Sequence, residues 1–214
     1  KRLLANPQLT PPAEAQSSAA MQQKDVSASK RSSPGIESAP SRREIEKLTG
    51  LRRKGRAADI EAFARELTAR FPEHGLGWKT LGVVLNQQHR LDQALAAMAK
   101  AAVLLPDDPE VQNNLGVMLQ HKARFAEAEG CFGRALELKP DFAGALCNLG
   151  NLLRIQGRLG ESEGAFLRAI KLGKNAVIYN NLGTTLLEQG RILDAESSFR
   201  QAIKVDAGFA LAHT

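Results

Sequence analysis

Three asparagines, Asn114, Asn148 and Asn181, recur at intervals of 34 and 33 residues, each directly before a Leu-Gly pair. A carboxamide both donates and accepts hydrogen bonds. A regular row of them can hold the backbone of an extended peptide without reading its side chains. Thr80 occupies the equivalent position one interval earlier. The polar residues Lys79, Asn113, Asn151 and Asn180 are expected on the same surface, together with Val83, Gln87, Val117, His121, Cys147, Arg154, Thr184 and Glu188. This is binding chemistry, with no bond made or broken. His74, His89, His121 and His213 lie far apart, and the chain has no HExxH motif, nucleophile elbow or phosphate-binding glycine loop. Cys131 and Cys147 have neither CxxC spacing nor a nearby histidine, so both are expected as buried thiols. No catalytic residue, metal or cofactor is expected in this segment.

Charge narrows the partners. The net charge is +6, of which residues 1–40 carry +2, residues 41–74 carry +3 and residues 75–214 only +1. The amide-bearing part is therefore not a nucleic-acid surface. A basic cluster, Arg42, Arg43, Lys47, Arg52, Arg53, Lys54 and Arg56, precedes it. Glu44 and Glu46 interrupt that cluster and no aromatic residues are interleaved for base stacking, so it reads as a solvated helix face. No apolar run approaches the roughly 18 residues of a membrane span. The expectation is a cytoplasmic protein that binds neither nucleic acid nor membrane.

The elements that position the amides repeat as well. Trp78, Leu81, Gly82, Leu85, Ala94, Met98, Ala101 and Pro106 return 34 residues later as Gln112, Leu115, Gly116, Leu119, Ala128, Phe132, Ala135 and Pro140. The third set is Leu146, Leu149, Gly150, Leu153, Ser162, Phe166, Ala169 and Lys174. After one deleted residue, Tyr179, Leu182, Gly183, Leu186, Ala195, Phe199, Ala202 and Ala207 follow. Trp78, Leu81 and Leu85 share one helix face, and Ala94, Met98 and Ala101 share a face of a second helix. Gly82 and Ala94 remove bulk where two helices must approach. Gly157-Arg158 and Gly190-Arg191 read as a helix end followed by a new start. His89 and Ala123 stand where those glycines belong and are less comfortable in a left-handed turn. Pro106-Asp107-Asp108-Pro109 and Pro140-Asp141 are expected to stop one helix and cap the next.

A unit near this length with Trp, Leu-Gly, Tyr, Ala, Phe and Pro in that order resembles the tetratricopeptide repeat. The resemblance implies an all-α fold, a right-handed α-solenoid of helix-turn-helix pairs whose concave face binds protein or extended peptide. An asparagine row along that face is similar to the repeat domain of the O-linked N-acetylglucosamine transferases, and the stretch NNLGVMLQHKARFAEAEGCFGRALELKPDFAGALCNLGNLLRIQGR resembles such arrays. That likeness implies the substrate-recruiting arm of a larger glycosyltransferase whose catalytic domain lies beyond Thr214. The alternative is a stand-alone scaffold for complex assembly with no enzyme attached. Repeats that clamp a chaperone's C-terminal carboxylate are a poorer match. Lys79 and Asn114 fit that pattern, but Val83, Gly144 and Asn148 do not.

The expected organisation has four parts. Residues 1–40, rich in Ser, Ala, Pro and Gln, form a disordered tail or linker. Residues 41–74 form a degenerate capping helix pair, with Ile45, Leu48 and Leu51 on one face and Gly55 and Pro72 at the repeat's turn and stop positions. Residues 75–108, 109–142, 143–175 and 176–209 are the full repeats, and 210–214 opens a fifth. So short a stub supplies no covering helix. The face bearing Phe199, Ala202 and Ile203 is therefore expected to be partly uncovered, a site for self-association.

Overall fold

A computed structural model describes residues 39–206. Those residues form ten helices and no strands: α1 (Arg42–Lys54), α2 (Ala57–Arg70), α3 (Gly75–Gln87), α4 (Leu91–Leu104), α5 (Pro109–His121), α6 (Phe125–Leu138), α7 (Ala143–Ile155), α8 (Leu159–Leu172), α9 (Ala176–Glu188) and α10 (Ile192–Val205). Residues 1–38, most of the expected tail, and residues 207–214, which include Ala207, His213 and the expected fifth-repeat stub, lie outside the described residues.

Local chemistry explains the helix ends. Ser41 and Glu44 form a reciprocal capping box at the start of α1, with Glu44 Oε2 accepting from the Ser41 amide at 2.8 Å. Gly55 ends that helix at φ 68°. Asp108 caps α5 by accepting from the amides of Glu110 and Val111, with Pro109 at the first helical position. Asp141 does not play the same part. Phe142, at the position equivalent to Asp108, is the N-cap of α7 and makes no side-chain cap, while Asp141 corresponds to Asp107.

Within each of the last four pairs the turn is the same. The amides of Arg90, Arg124, Arg158 and Arg191 donate to the carbonyls of Leu85, Leu119, Leu153 and Leu186 at 2.9–3.0 Å. This six-to-one bond needs a left-handed residue just before the arginine. Gly157 and Gly190 supply it at φ 75° and 78°. His89 and Ala123 adopt it without being glycine, at φ 60° and 57°.

Packing inside a pair turns on one glycine and one large side chain. A Cβ on Gly116 would lie 2.6 Å from the ring of Phe132, and one on Gly183 would lie 2.6 Å from Phe199. Gly150 faces Phe166 and Gly82 faces Met98 in the same way. The missing Cβ therefore makes room chiefly for this side chain from the second helix. The small residue beside it has a separate task. Ser162, which replaces the alanine of the other pairs, is fully buried and donates from Oγ to the Gly150 carbonyl at 2.8 Å. Only a small side chain fits against that carbonyl.

Between pairs, each second helix packs on the next first helix: α2 on α3, α4 on α5, α6 on α7 and α8 on α9. Buried side chains form three successive clusters along the array, one with Leu48, Phe63, Met98 and Val111, one with Phe132 and Leu152, and one with Phe166 and Leu182. First helices also touch one another, α3 on α5, α5 on α7 and α7 on α9, whereas successive second helices make no comparable contact among the described residues. The row of first helices is therefore the tighter, inner side of the stack, and the fold is an α-solenoid.

At the far end, Ala202 is buried and Phe199 is half-buried against Gly183, because both face α9 within their own pair. Of the three residues expected to be uncovered only Ile203 is exposed; Ile192 is 66% exposed and Leu193 80%, with Val205 also exposed. Ile192 corresponds to Leu91, Phe125 and Leu159, which are half-buried where a following pair packs.

Candidate peptide-binding face

The inner face is carried by α3, α5, α7 and α9, and one helical turn of each brings the polar positions together. Asn113 and Asn114 come from α5, Asn148 and Asn151 from α7, and Asn180 and Asn181 from α9. Asn114, Asn151, Asn180 and Asn181 are half-buried, and their side chains make no hydrogen bond with another described residue. Asn148 differs from them. Its Nδ2 donates to Asn113 Oδ1 at 2.8 Å, tying α7 to α5. Asn113 is itself buried, so this pair is partly structural. Thr80, at the position equivalent to Asn114, is buried on α3.

Lys79 is not a free cation. Its Nζ lies 2.7 Å from Asp108 Oδ2 and 2.8 Å from Glu110 Oε2, bridging α3 to the start of α5. Burial works against the charged ammonium, but the two carboxylates outweigh it and raise Lys79 above its ordinary value. For Asp108 burial pushes upward, and Lys79 with the two capping amides holds the carboxyl below its usual range. Arg154 Nη1 reaches Glu188 at 2.5 Å, linking α7 to α9, while its Nε is buried without a partner. Cys147 on this face and Cys131 on α6 are free thiols, each half-buried and pushed up by burial. A raised thiol is a poor nucleophile.

The basic cluster is mixed. Arg42 pairs with Glu46 at 3.0 Å, Arg56 with Asp59 at 3.5 Å, and Lys47 Nζ sits 4.0 Å above the Phe63 ring. Arg43, Arg52, Arg53 and Lys54 have no partner among the described residues. No group of three His, Cys, Asp or Glu side chains is placed to hold a metal among the described residues, and no helix there is long and apolar enough to cross a membrane.

One feature of the array escaped the sequence reading. In three pairs the arginine before the second helix reaches back to a glutamate on the preceding second helix: Arg90 to Glu61 at 2.7 Å, Arg158 to Glu129 at 2.8 Å and Arg191 to Glu163 at 2.8 Å. Arg124 pairs with Glu127 of its own helix and, among the described residues, with no glutamate of α4, because Leu95 stands at the corresponding place. The signal was present in the recurring turn arginines and in Glu61, Glu129 and Glu163 at one repeat position.

A helical-repeat array with an amide-lined inner face defines a class of binding proteins. Tetratricopeptide-repeat profiles match residues 51–109, 110–139 and 141–207, and the chain is a tetratricopeptide-repeat protein. Solved structures agree on the fold. MamA is 19% identical, with 76% of this chain and 96% of that one covered at a TM-score of 0.67. Pseudomonas aeruginosa pilF is 18% identical, with 76% and 74% covered at 0.68. YrrB, described as a tetratricopeptide-repeat protein with an unusual peptide-binding site, is 19% identical, with 81% and 90% covered at 0.65. At such identities the likeness concerns the fold alone. A search of curated proteins finds no significant sequence match.

Proposed function

We propose that the inner face binds an extended segment of a partner protein, with the asparagine row holding its backbone. The observation that carries this reading is the set of unpartnered, half-buried amides of Asn114, Asn151, Asn180 and Asn181 on three adjacent helices. These carboxamides keep their polar atoms open to solvent and uncommitted to the array, so each can exchange water for the N–H and C=O groups of a peptide backbone. YrrB, a similar fold with a peptide-binding site, supports the reading by analogy. Lys79 and Thr80 are committed to the array itself, so the contacts to the peptide come chiefly from α5, α7 and α9.

The test is the triple change Asn114→Ala, Asn148→Ala and Asn181→Ala, with binding of extended peptides read by calorimetry. Each hydrogen bond to a neutral group contributes about 0.5–1.5 kcal/mol, so affinity falls roughly tenfold or more. The melting temperature moves little, with a small loss from the Asn148–Asn113 bond. An unfolded triple variant, or unchanged affinity, refutes the peptide row.

Two settings fit a peptide-binding arm. One is the substrate-recruiting arm of a larger enzyme similar to the O-linked N-acetylglucosamine transferases, supported by the spacing of Asn114, Asn148 and Asn181 and by the wording of the repeats. The other is a scaffold for complex assembly. A nucleotide-sugar-binding domain encoded after Thr214 decides for the first, and further repeats or a stop decide for the second. Self-association through the exposed Ile192, Leu193, Ile203 and Val205 belongs to the same proposal, and sedimentation at increasing concentration tests it.

A further inference from the structure

First helices touch along α3, α5, α7 and α9, but α1 makes no comparable contact with α3. Between them is a pocket of about 500 Å³. Its floor is aliphatic, made by Ile60 of α2 and by Leu76, Val83 and Val84 of α3. Arg52, from the last turn of α1, and Lys79 stand at the rim, and no carboxylate lines the space. The two cations differ. Lys79 is neutralised by Asp108 and Glu110, whereas Arg52 has no acidic partner among the described residues, nor have Arg53 and Lys54 beside it.

We infer that this pocket anchors an acidic segment of a partner protein, taking its aliphatic side chains on Ile60, Val83 and Val84 and a flanking carboxylate on Arg52. The volume lies within the range of roughly 300–1,000 Å³ typical of sites that enclose a small ligand, so it holds a short run of side chains. The complement of an unpaired guanidinium over an apolar floor is a carboxylate beside an apolar group. A nucleic acid is a poorer complement, since no aromatic side chain lines the space to stack on a base. The site continues the inner face at its N-terminal end. The inference rests on the reading that this face binds peptides, and it adds which peptides.

The experiment uses the whole chain and fluorescence anisotropy with three labelled hexapeptides: Asp-Glu-Leu-Leu-Glu-Asp, its analogue with both leucines replaced by serine, and Lys-Lys-Leu-Leu-Lys-Lys. The first peptide binds, and the other two bind at least roughly tenfold more weakly. Arg52→Glu, on an exposed side chain, and Val83→Glu each reduce binding of the first peptide by a similar factor. Lys204→Glu, on an exposed side chain of α10 remote from the pocket, leaves that binding within about twofold. Circular dichroism verifies that each variant is folded; if Val83→Glu unfolds, Arg52→Glu alone carries the test. Equal binding of the three peptides, no binding of the first, unchanged affinity in Arg52→Glu, or displacement by a short DNA duplex but not by excess unlabelled acidic peptide overturns the inference. If the asparagine variant loses binding while Arg52→Glu keeps it, the pocket assignment falls and the peptide row stands. If no peptide binds and the asparagine change alters nothing, both fall.

Discussion

Replacing Gly116 by alanine adds one methyl group where Phe132 leaves no space. The new Cβ would lie 2.6, 2.8 and 3.1 Å from three ring carbons of Phe132, which is fully buried. Carbon atoms are comfortable at about 3.5–4.0 Å, so the ring or helix must move by close to 1 Å. Overpacking of this kind costs about 1–3 kcal/mol. Alanine returns some of that, because it is better than glycine inside a helix by about 0.8–1.0 kcal/mol. The net expectation is a loss of about 0–2 kcal/mol. Gly130 on α6 supplies the control, since nothing lies within 4 Å of a Cβ built there. Gly130→Ala should raise stability by about 1 kcal/mol from propensity alone. Thermal unfolding followed at 222 nm separates the two, with midpoints moving roughly 2–4 °C per kcal/mol in opposite directions. Phe132→Leu removes the ring edge, so Gly116→Ala in that background should cost less, with a coupling of about 0.5–3 kcal/mol. If Gly116→Ala raises the midpoint as Gly130→Ala does, the ring has room to spare and the packing argument for the Leu-Gly positions fails.

Ala123 adopts φ 57°, a conformation that costs an L-residue roughly 1–2 kcal/mol. Ala123→Gly relieves it against the greater chain entropy of glycine when unfolded, about 0.4–1 kcal/mol. The net gain should be on the order of 0.5–1 kcal/mol in urea titration, and Gly157→Ala should move the midpoint the other way. Glu61 is held down to about 2 from 4.5, first by its bond from Arg65, then by Arg90. A lowered carboxyl stabilises fully above its unfolded value and loses that contribution as pH falls from about 4.5 toward 2. The stability gap between the natural chain and Glu61→Gln, measured by urea titration, should therefore close across that window; a gap independent of pH would show that the bonds from Arg65 and Arg90 contribute nothing. The Arg158–Glu129 bridge joins two successive second helices at a partly exposed site, so a double-mutant cycle should return about 0.2–1 kcal/mol, and zero coupling would mean the inter-pair bridges do not stabilise the array.

The local elements were legible in the residues because their causes are local. The spacing of Leu115, Gly116, Leu119 and Phe132 marks two packed helix faces, and Asp108-Pro109 carries its own cap. The turn at Gly157 or Gly190 needs only a left-handed residue and one backbone bond, and repetition makes each unit predict the next. What depended on the neighbouring pair was not legible. A sequence position says that Asn114 and Asn148 are equivalent, yet the Asn148 side chain donates to Asn113 and that of Asn114 has no partner among the described residues. Lys79 looks like a free cation until Asp108 and Glu110 arrive from the next pair. Phe199 and Ala202 look uncovered until α9 is seen to cover them, and Ile192 is the residue left for a following pair. The pocket beside Arg52 comes from the spacing of α1 and α3, a distance set by how two faces pack and by no single residue. Local torsions and periodicities are written residue by residue along the chain, whereas pairing, burial and the gap between two helices exist only once distant segments share a surface.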